Sequence, residues 1–247
     1  MDRLIYTAMT GARSAFLQQA GIANNLANTS TTGFKAMVHK FRSVPIQGEG
    51  APTRAFVVNT SVANDFSQGP LTVTGRPLDV AVKGAGWIAV RAPDGSEAYT
   101  RAGNLHIDAN GIVRTAAGMS VLSEAGEEIT VPPDNTITIA PDGVVSAVPI
   151  FGNPNSVSIV DRVKLVNPPE SDLVRGDDTL FRTRGGGSLE SDLSVRLAPE
   201  TLEGSNVNPA EVMVSMISVA RQFETQIKML QLADANASRA TQILSIT

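Results

Sequence analysis

The chain has 247 residues, of which 42% are hydrophobic and 18% charged, with a formal net charge of -4 and no cysteine. This length allows at least one substantial core, and the acidic balance argues against a general surface for nucleic-acid phosphates. The lack of cysteine excludes disulfides, thiolate nucleophiles and cysteine-ligated zinc. No run approaches the roughly 20 apolar residues that span a bilayer, so we expect neither nucleic-acid binding nor membrane insertion.

Residues 1–30 are predicted to form an amphipathic helix. Apolar or small residues recur at alternating steps of four and three, with Gln19 as the polar interruption, as one helix face requires: Ile5, Met9, Ala12, Phe16, Ala23 and Leu26. Gly11 and Gly21 each weaken the helix by up to about 1 kcal/mol relative to alanine, so we expect it to need a partner surface. The segment lacks the uninterrupted apolar stretch of a cleavable secretory signal, so any export is expected to use another route.

Turn residues such as Gly33, Pro45 and Pro52 break the pattern in segment 31–68, where we expect no regular element. A flexible linker is one interpretation, because Gly, Ser, Thr and Pro are typical of linkers. Scattered aromatic and branched residues instead favour an extended segment that becomes ordered against another surface. Basic and aromatic residues alternate in its first half: Phe34, Lys35, Lys40, Phe41 and Arg42. We interpret this mixture as a strip that contacts a protein partner.

Short strands joined by tight turns are predicted from 69 to 202. Apolar residues alternate with a period of two at Leu78, Val80 and Val82. Turn sequences follow at Pro93-Asp94-Gly95, Asn110-Gly111 and Pro141-Asp142-Gly143. This spacing predicts antiparallel hairpins, and we expect a mobile loop at Gly185–Gly187.

Gly84, Gly86 and Ala89 match the dinucleotide-binding fingerprint, but a turn at 93–95 leaves no room for the helix that would bind pyrophosphate. We therefore interpret the two glycines as a place of close strand packing or a bulge. Trp87, the single tryptophan, lies on the same strand-like run and is expected to be a buried anchor.

The remaining candidates for chemistry are weak. Only two histidines are present, and His39 and His106 lie too far apart in sequence for a metal cluster or a catalytic triad to be proposed from spacing. The fragment from Asp108 to Gly111 lacks the other ligands of a calcium loop. We expect no enzymatic activity, no cofactor and no metal.

The segment 203–247 contains the clearest predicted helix. Asn208 can cap it, Pro209 suits its first position, and Glu211 can interact with the cap. A stripe with coiled-coil spacing follows: Val212, Met216, Val219, Phe223, Leu230, Ala233, Ala237, Ala240 and Leu244. A helix over 209–246 would be about 57 Å long at about 1.5 Å per residue. Because an exposed stripe is unfavourable, we expect pairing with the N-terminal stripe, with a conventional intrachain bundle as the alternative.

The chain is therefore predicted to have an α+β fold, in which paired N- and C-terminal coiled-coil-like helices flank a central, mainly antiparallel β domain. Its four parts are the N-terminal helix (1–30), the connecting segment (31–68), the β domain (69–202) and the C-terminal helix (203–247).

Three stretches of the sequence together form a recognisable pattern. The first runs from Asn24 to Asn28 and continues from Thr32 to Lys35. The second includes Arg76 to Val82, Gly84, Gly86, Trp87, Tyr99 to Arg101, Gly103, Asn104 and Gly111. The third includes Leu202 to Asn208, Met213, Met216, Ile217, Arg221, Phe223 and Glu224. This pattern resembles the flagellar rod and hook family of axial proteins over nearly the whole chain, and Trp87 stands where many members carry Phe.

Within the family, the stretches 1–9, 42–45 and 52–54 resemble a proximal-rod member, with a distal-rod or other axial member as the alternative. The resemblance implies a structural subunit that leaves the cytoplasm through the flagellar type III export apparatus, without a cleaved signal peptide. It implies assembly in the periplasm with other copies of itself and with proximal and distal rod proteins, as part of the drive shaft of the basal body.

The resemblance also implies that the terminal helices form an inner tube, that segment 31–68 braces neighbours and that the β domain faces outward. We expect the assembly interface to contain Ile5, Met9, Phe16, Asn24, Asn25, Leu26, Asn28, Gly33, Phe34, Lys35, Val212, Met216, Val219, Phe223, Leu230 and Leu244. A β-domain binding module on a coiled-coil stalk is the second hypothesis.

Overall fold

A computed structural model describes residues 2–45, 55–150 and 157–244 and has an α+β architecture. Two long helices lie at the ends of the sequence: α1 (Asp2–Ala27) and α2 (Pro209–Leu244). The strands between them are β1 (Met37–Pro45), β2 (Ala55–Asn64), β3 (Leu71–Val73), β4 (Val80–Lys83), β5 (Trp87–Arg91), β6 (Glu97–Thr100), β7 (Leu105–Ile107), β8 (Val113–Thr115), β9 (Ser120–Val121), β10 (Asn135–Ile139), β11 (Val144–Pro149), β12 (Ser158–Arg162), β13 (Leu165–Val166), β14 (Leu173–Arg175), β15 (Phe181–Thr183), β16 (Arg196–Pro199) and β17 (Thr201–Glu203). Neither helix is long and apolar enough, over its described residues, to cross a membrane.

The chain divides into two compact units. The helical unit consists of Met1–Thr29, Ala36–Asp65 and Val207–Thr247, and the β unit consists of Ser30–Lys35 and Phe66–Asn206. Each unit is therefore built from parts of the chain that are distant in sequence.

In the helical unit, α1 packs against α2, and a hairpin of β1 and β2 packs against α1. The start of α2 follows the sequence prediction, because the amide of Ala210 donates a hydrogen bond of 3.1 Å to the side-chain oxygen of Asn208. This contact satisfies one of the free amides at the helix N-terminus.

The hairpin of β1 and β2 corrects the expectation that segment 31–68 has no regular element. A register shift between Lys40 and Phe41 marks a β-bulge, which adds a residue to one strand and disrupts the alternation from which a strand is recognised. The β-branched content of β2, with valines at 57, 58 and 62, was the available signal. Residues 46–54, which follow β1 in the sequence, lie outside the described part of the chain.

In the β unit, the described strands form one large sheet and three small ones, and their pairing is antiparallel. The large sheet has the order β14-β15-β6-β5-β9-β8-β7, with β13 also pairing with β5. The small sheets are β10-β11-β12, β16-β4 and β17-β3. The predicted turns at 93–95, 110–111 and 141–143 connect β5 to β6, β7 to β8 and β10 to β11. The central antiparallel β domain is thus confirmed.

Gly86 and Trp87 fulfil their predicted structural roles. Gly86 has a φ of +132°, and a Cβ there would lie 2.6 Å from a methyl carbon of Val195, so only glycine allows this close approach. A strand, not a helix, follows it, which excludes the dinucleotide motif. Trp87 is buried and contacts the Phe66 ring edge-on at 5.8 Å and the Phe181 ring at 4.6 Å.

Candidate assembly surfaces

The apolar residues of α1 lie on two different faces. Ala8, Ala12 and Ala15 are buried, and their spacing places them on one side of the helix. Met9 and Phe16, each one position after a buried alanine, are 51% and 62% exposed. The predicted N-terminal stripe therefore crosses the boundary between a buried alanine face and an exposed face with large side chains.

The other residues of α1 and its C-terminal end that were predicted to lie at the interface differ in their exposure. Ile5, Leu26 and Asn28 are half-buried, whereas Asn24 is exposed. Asn25 is buried, and its side chain acts inside the helical unit. Its amide nitrogen donates a hydrogen bond of 2.9 Å to the carbonyl of Met37, and its oxygen accepts one of 2.8 Å from the amide of Met37.

The predicted stripe of α2 faces the interior of the chain. Val219 is buried, and Val212, Met216, Phe223 and Leu230 are half-buried. Leu244 lies in α2, but its side chain is outside the described residues.

A second apolar group, which the sequence analysis did not identify as a site, lies elsewhere on α2. Its exposed members are Met213, Val214, Ile217, Met229 and Leu232. Periodicity does not single out this group, because charged residues such as Arg221, Glu224 and Lys228 interrupt it. Large apolar side chains that are exposed in the single chain are candidates for protein–protein contacts.

A buried ion-pair cluster joins residues from three distant stretches of the β unit. The Lys35 ammonium contacts one Glu203 carboxylate oxygen at 2.6 Å, and the Arg101 guanidinium contacts the other at 3.0 Å. The side chains of Lys35 and Glu203 are fully buried, and that of Arg101 is nearly so. Lys35 also donates to the carbonyl of Ser67 at 2.7 Å. Buried charges are tolerated because they are paired and hydrogen-bonded in this way.

The two residues before Lys35 are also fixed in the β unit. The amide of Gly33 donates to the carbonyl of Glu203 at 2.8 Å, and the Arg175 guanidinium lies 4.4 Å from the centre of the Phe34 ring. Gly33, Phe34 and Lys35 are thus buried in the chain itself, so any role at an interface would act through the position of this segment. Sequence reasoning did not link Lys35 to Arg101 or Glu203, since spacing cannot pair residues so far apart.

One arrangement, at Ser188, has the geometry of a nucleophile next to a lysine. The hydroxyl of Ser188 lies 2.7 Å from the Lys164 ammonium, and both contact the Glu97 carboxylate, at 2.6 and 2.9 Å. Burial opposes the charge of Glu97, but hydrogen bonds from Ser188, Lys164 and Tyr99 outweigh it and lower the pKa of Glu97. A lysine that is ion-paired to this carboxylate donates hydrogen bonds and does not accept the serine proton. We therefore assign the group a structural role.

Three family models match the chain. The model for "Flagella basal body rod protein" matches residues 5–35, "Flagellar hook protein FlgE/F/G D1 domain" matches 81–147, and "Flagellar basal body rod FlgEFG protein C-terminal" matches 198–243.

Full-length relatives agree with these matches. The chain is 44% identical to the flagellar basal-body rod protein FlgF of Salmonella typhimurium and 44% identical to that of Escherichia coli, and both alignments cover 100% of each chain. It is 32% identical to the flagellar basal-body rod protein FlgG of Agrobacterium fabrum, over 96% of this chain and 97% of that one. The higher identity favours FlgF over FlgG.

Proposed function

The chain belongs to the FlgF family of flagellar basal-body rod proteins and is a structural subunit of the rod, and we propose that it assembles through the exposed apolar faces of its terminal helices. The relatives are rod proteins, and their names indicate no catalytic activity. We propose likewise that this chain has no enzymatic function.

The observation that carries the proposal is the exposure of large apolar side chains on both helices. Tyr6, Met9 and Phe16 are 51–62% exposed on α1, and Ile217 and Leu232 are 56% and 64% exposed on α2. Other faces of the same helices are already used within the chain. Burial of each such side chain is worth about 1.5–3 kcal/mol, so contact with helices of neighbouring subunits would stabilise an assembly.

We propose that the predicted apolar stripe of α2 makes contacts within the subunit. Val219, buried on α2, and its half-buried neighbours Met216 and Phe223 would form a coiled-coil-like seam with α1. The more exposed residues, including Met9 and Phe16, would then contact other subunits. We thus propose that assembly uses two layers of contacts, one within each subunit and one between subunits.

The position of the subunit in the flagellum follows from the family. We propose that the chain lies in the proximal rod, within the periplasm, where it contacts copies of itself and neighbouring rod proteins and transmits motor torque. We also propose that it reaches this place through the flagellar type III export apparatus, without cleavage of a signal peptide. Recovery of the chain from basal bodies with its original N-terminus would test the export route.

Charge-introducing substitutions at the exposed positions test the assembly proposal. Phe16→Asp and Ile217→Asp place a charge in a surface that the proposal buries between subunits, where an unpaired charge is strongly unfavourable. Because both side chains are exposed in the single chain, we expect unfolding free energies to change by about 0.5 kcal/mol or less. Cells that carry only these variants should export the protein but lack a completed rod and fail to swim.

Gln222→Asp is the matched control, because Gln222 is an exposed polar residue of α2. It introduces the same charge into the helix that carries Ile217 and should leave swimming intact. Normal basal bodies in cells with Phe16→Asp and Ile217→Asp would contradict the proposed interface.

A further inference from the structure

We propose that the larger part of the β unit, Phe66–Asn206, contains a sequence-specific recognition site for the chain's own segment 30–35, and that this segment can leave and re-enter the site while Phe66–Asn206 stays folded. The ligand class is a short peptide containing glycine, an aromatic residue and lysine in succession. The inference does not depend on the proposed assembly function.

Each residue of the triplet is recognised by a different feature. Gly33 has a φ of +68°, and a Cβ there would collide with the backbone of Arg101. The Phe34 ring lies against the Arg175 guanidinium, which also donates a hydrogen bond of 2.8 Å to the carbonyl of Lys35. The Lys35 ammonium binds the Glu203 carboxylate and the carbonyl of Ser67. Few other tripeptides would satisfy all three requirements.

The charges at the site indicate that Lys35 enters a pocket that is already complete. Without Lys35, the Glu203 carboxylate still contacts the Arg101 guanidinium at 3.0 Å and the amide of Gly69 at 3.1 Å. Arg101 is held independently, since it also donates to the carbonyl of Gly84 at 2.7 Å. Glu203 and Arg101 thus form a neutral, hydrogen-bonded pair, and Lys35 adds a second cation to it. An undocked segment leaves no unpaired buried charge behind, so undocking does not require the β unit to unfold.

A peptide added to the full-length chain tests the site. Gly33→Ala prevents docking of the chain's own segment, because the new Cβ meets the backbone at Arg101. A synthetic peptide of residues 30–36 should then bind in its place. Fluorescence anisotropy of a dye-labelled peptide reports binding, so this readout does not depend on Trp87. The same peptide should bind the unmodified chain much more weakly, because the chain's own segment competes for the site.

Altered peptides test the specificity. A peptide with Lys35→Met loses a charged hydrogen-bond pair and should bind roughly tenfold or more weakly, and a peptide with Gly33→Ala should not bind. Equal binding of all three peptides, or no binding of the native peptide to a folded Gly33→Ala chain, would overturn the proposal.

Tryptic cleavage of the unmodified chain gives a second test that does not depend on the folding of a variant. Lys35 is buried, whereas Lys40 and Arg42 are exposed. If the segment undocks separately, cleavage after Lys35 should proceed at urea concentrations where Trp87 fluorescence is still native. Cleavage after Lys35 that occurs only as Trp87 fluorescence is lost would show that the segment never leaves a folded β unit, and the proposal would fail.

Discussion

The side chain of Asn25 on α1 pairs with the backbone of Met37 at the start of β1, through one hydrogen bond in each direction, of 2.9 and 2.8 Å. A carboxamide carries the same donor and acceptor as a peptide group, so Asn25 serves as a backbone partner for the first residue of the hairpin. This contact connects α1 to the hairpin independently of apolar packing.

Asn25→Ala should therefore loosen the hairpin from α1. The substitution leaves both polar groups of Met37 without this partner, and the unfolding free energy of the helical unit should fall by about 1–3 kcal/mol. Hydrogen exchange of the β1 and β2 amides measures the effect. Asn24→Ala is the control, because Asn24 is exposed and its side chain should be replaceable; equal exchange in both variants would contradict this role of Asn25.

Two glycines of α1 should respond to alanine in opposite ways. Each replacement removes a helix cost of up to about 1 kcal/mol. At Gly11 the new Cβ would meet the side chain of Gln226 at 3.0 Å, which can move aside, so Gly11→Ala should be neutral or stabilising. At Gly21 the Cβ would collide with the His39 ring, so Gly21→Ala should destabilise. Thermal unfolding compares the two variants, and His39→Ala should reverse the loss at Gly21.

His39 should make stability depend on pH. Burial lowers the pKa of His39 below its ordinary value of 6.5, so below pH 6.5 the unfolded chain binds more protons than the folded chain. The contribution of neutral His39 is complete above pH 6.5 and is lost as the pH falls from 6.5 toward the folded pKa. Unfolding free energies from urea titrations of the native chain and of His39→Gln should depend on pH with different slopes below pH 6.5. Parallel pH profiles would mean that His39 titrates normally.

The sequence predicts those parts of the fold that rest on local signals. The cap at Asn208 and the turn at 141–143 each depend on a few neighbouring residues, and the structure has both. The glycine at 86 indicated close packing, but its partner, Val195, lies far along the chain and could not be named from the sequence. The hairpin of β1 and β2 was missed because its bulge interrupts a period of two and because its packing surface, α1, lies elsewhere in the sequence.

The candidate sites were less predictable, for two physical reasons. Steps of three and four residues connect Ala8, Ala12 and Ala15 as well as Met9, Ala12 and Phe16, and the two sets lie on adjacent faces of α1. Periodicity alone therefore could not decide whether Ala15 or Phe16 faces the interior. The contact of Lys35 with Glu203 joins residues 168 positions apart, and nothing in their local sequence encodes a pairing over that distance. Lys35, Arg101 and Glu203 each lie in a stretch that resembles the rod and hook family. This shared position was the only sequence signal that related them to one another.

Trp87 should anchor the β unit, as the sequence predicted. It lies among Phe66, Tyr99 and Phe181, so Trp87→Ala leaves a large cavity and should cost about 3–5 kcal/mol. Trp87→Phe keeps an aromatic ring and should cost less. Thermal unfolding followed by circular dichroism measures both, and an unchanged melting temperature for Trp87→Ala would contradict the burial of this side chain.

The last prediction concerns the order of stability among substitutions in the buried ion-pair cluster. Glu203→Gln leaves the Lys35 and Arg101 cations buried without their anion, and the loss of one partner of a buried pair costs about 3–5 kcal/mol. Lys35→Met leaves the neutral pair of Glu203 and Arg101 intact, so only the charged hydrogen bonds of Lys35, worth about 1.5–3 kcal/mol, are lost. The double variant should lose less unfolding free energy than the two single variants lose in sum. The reason is that Lys35→Met removes one of the two cations that Glu203→Gln leaves without an anion. Urea unfolding followed by Trp87 fluorescence gives all three free energies. If Lys35→Met destabilises the chain as much as Glu203→Gln, the pair of Glu203 and Arg101 is not stable without Lys35. The stabilisation would then require all three charges together.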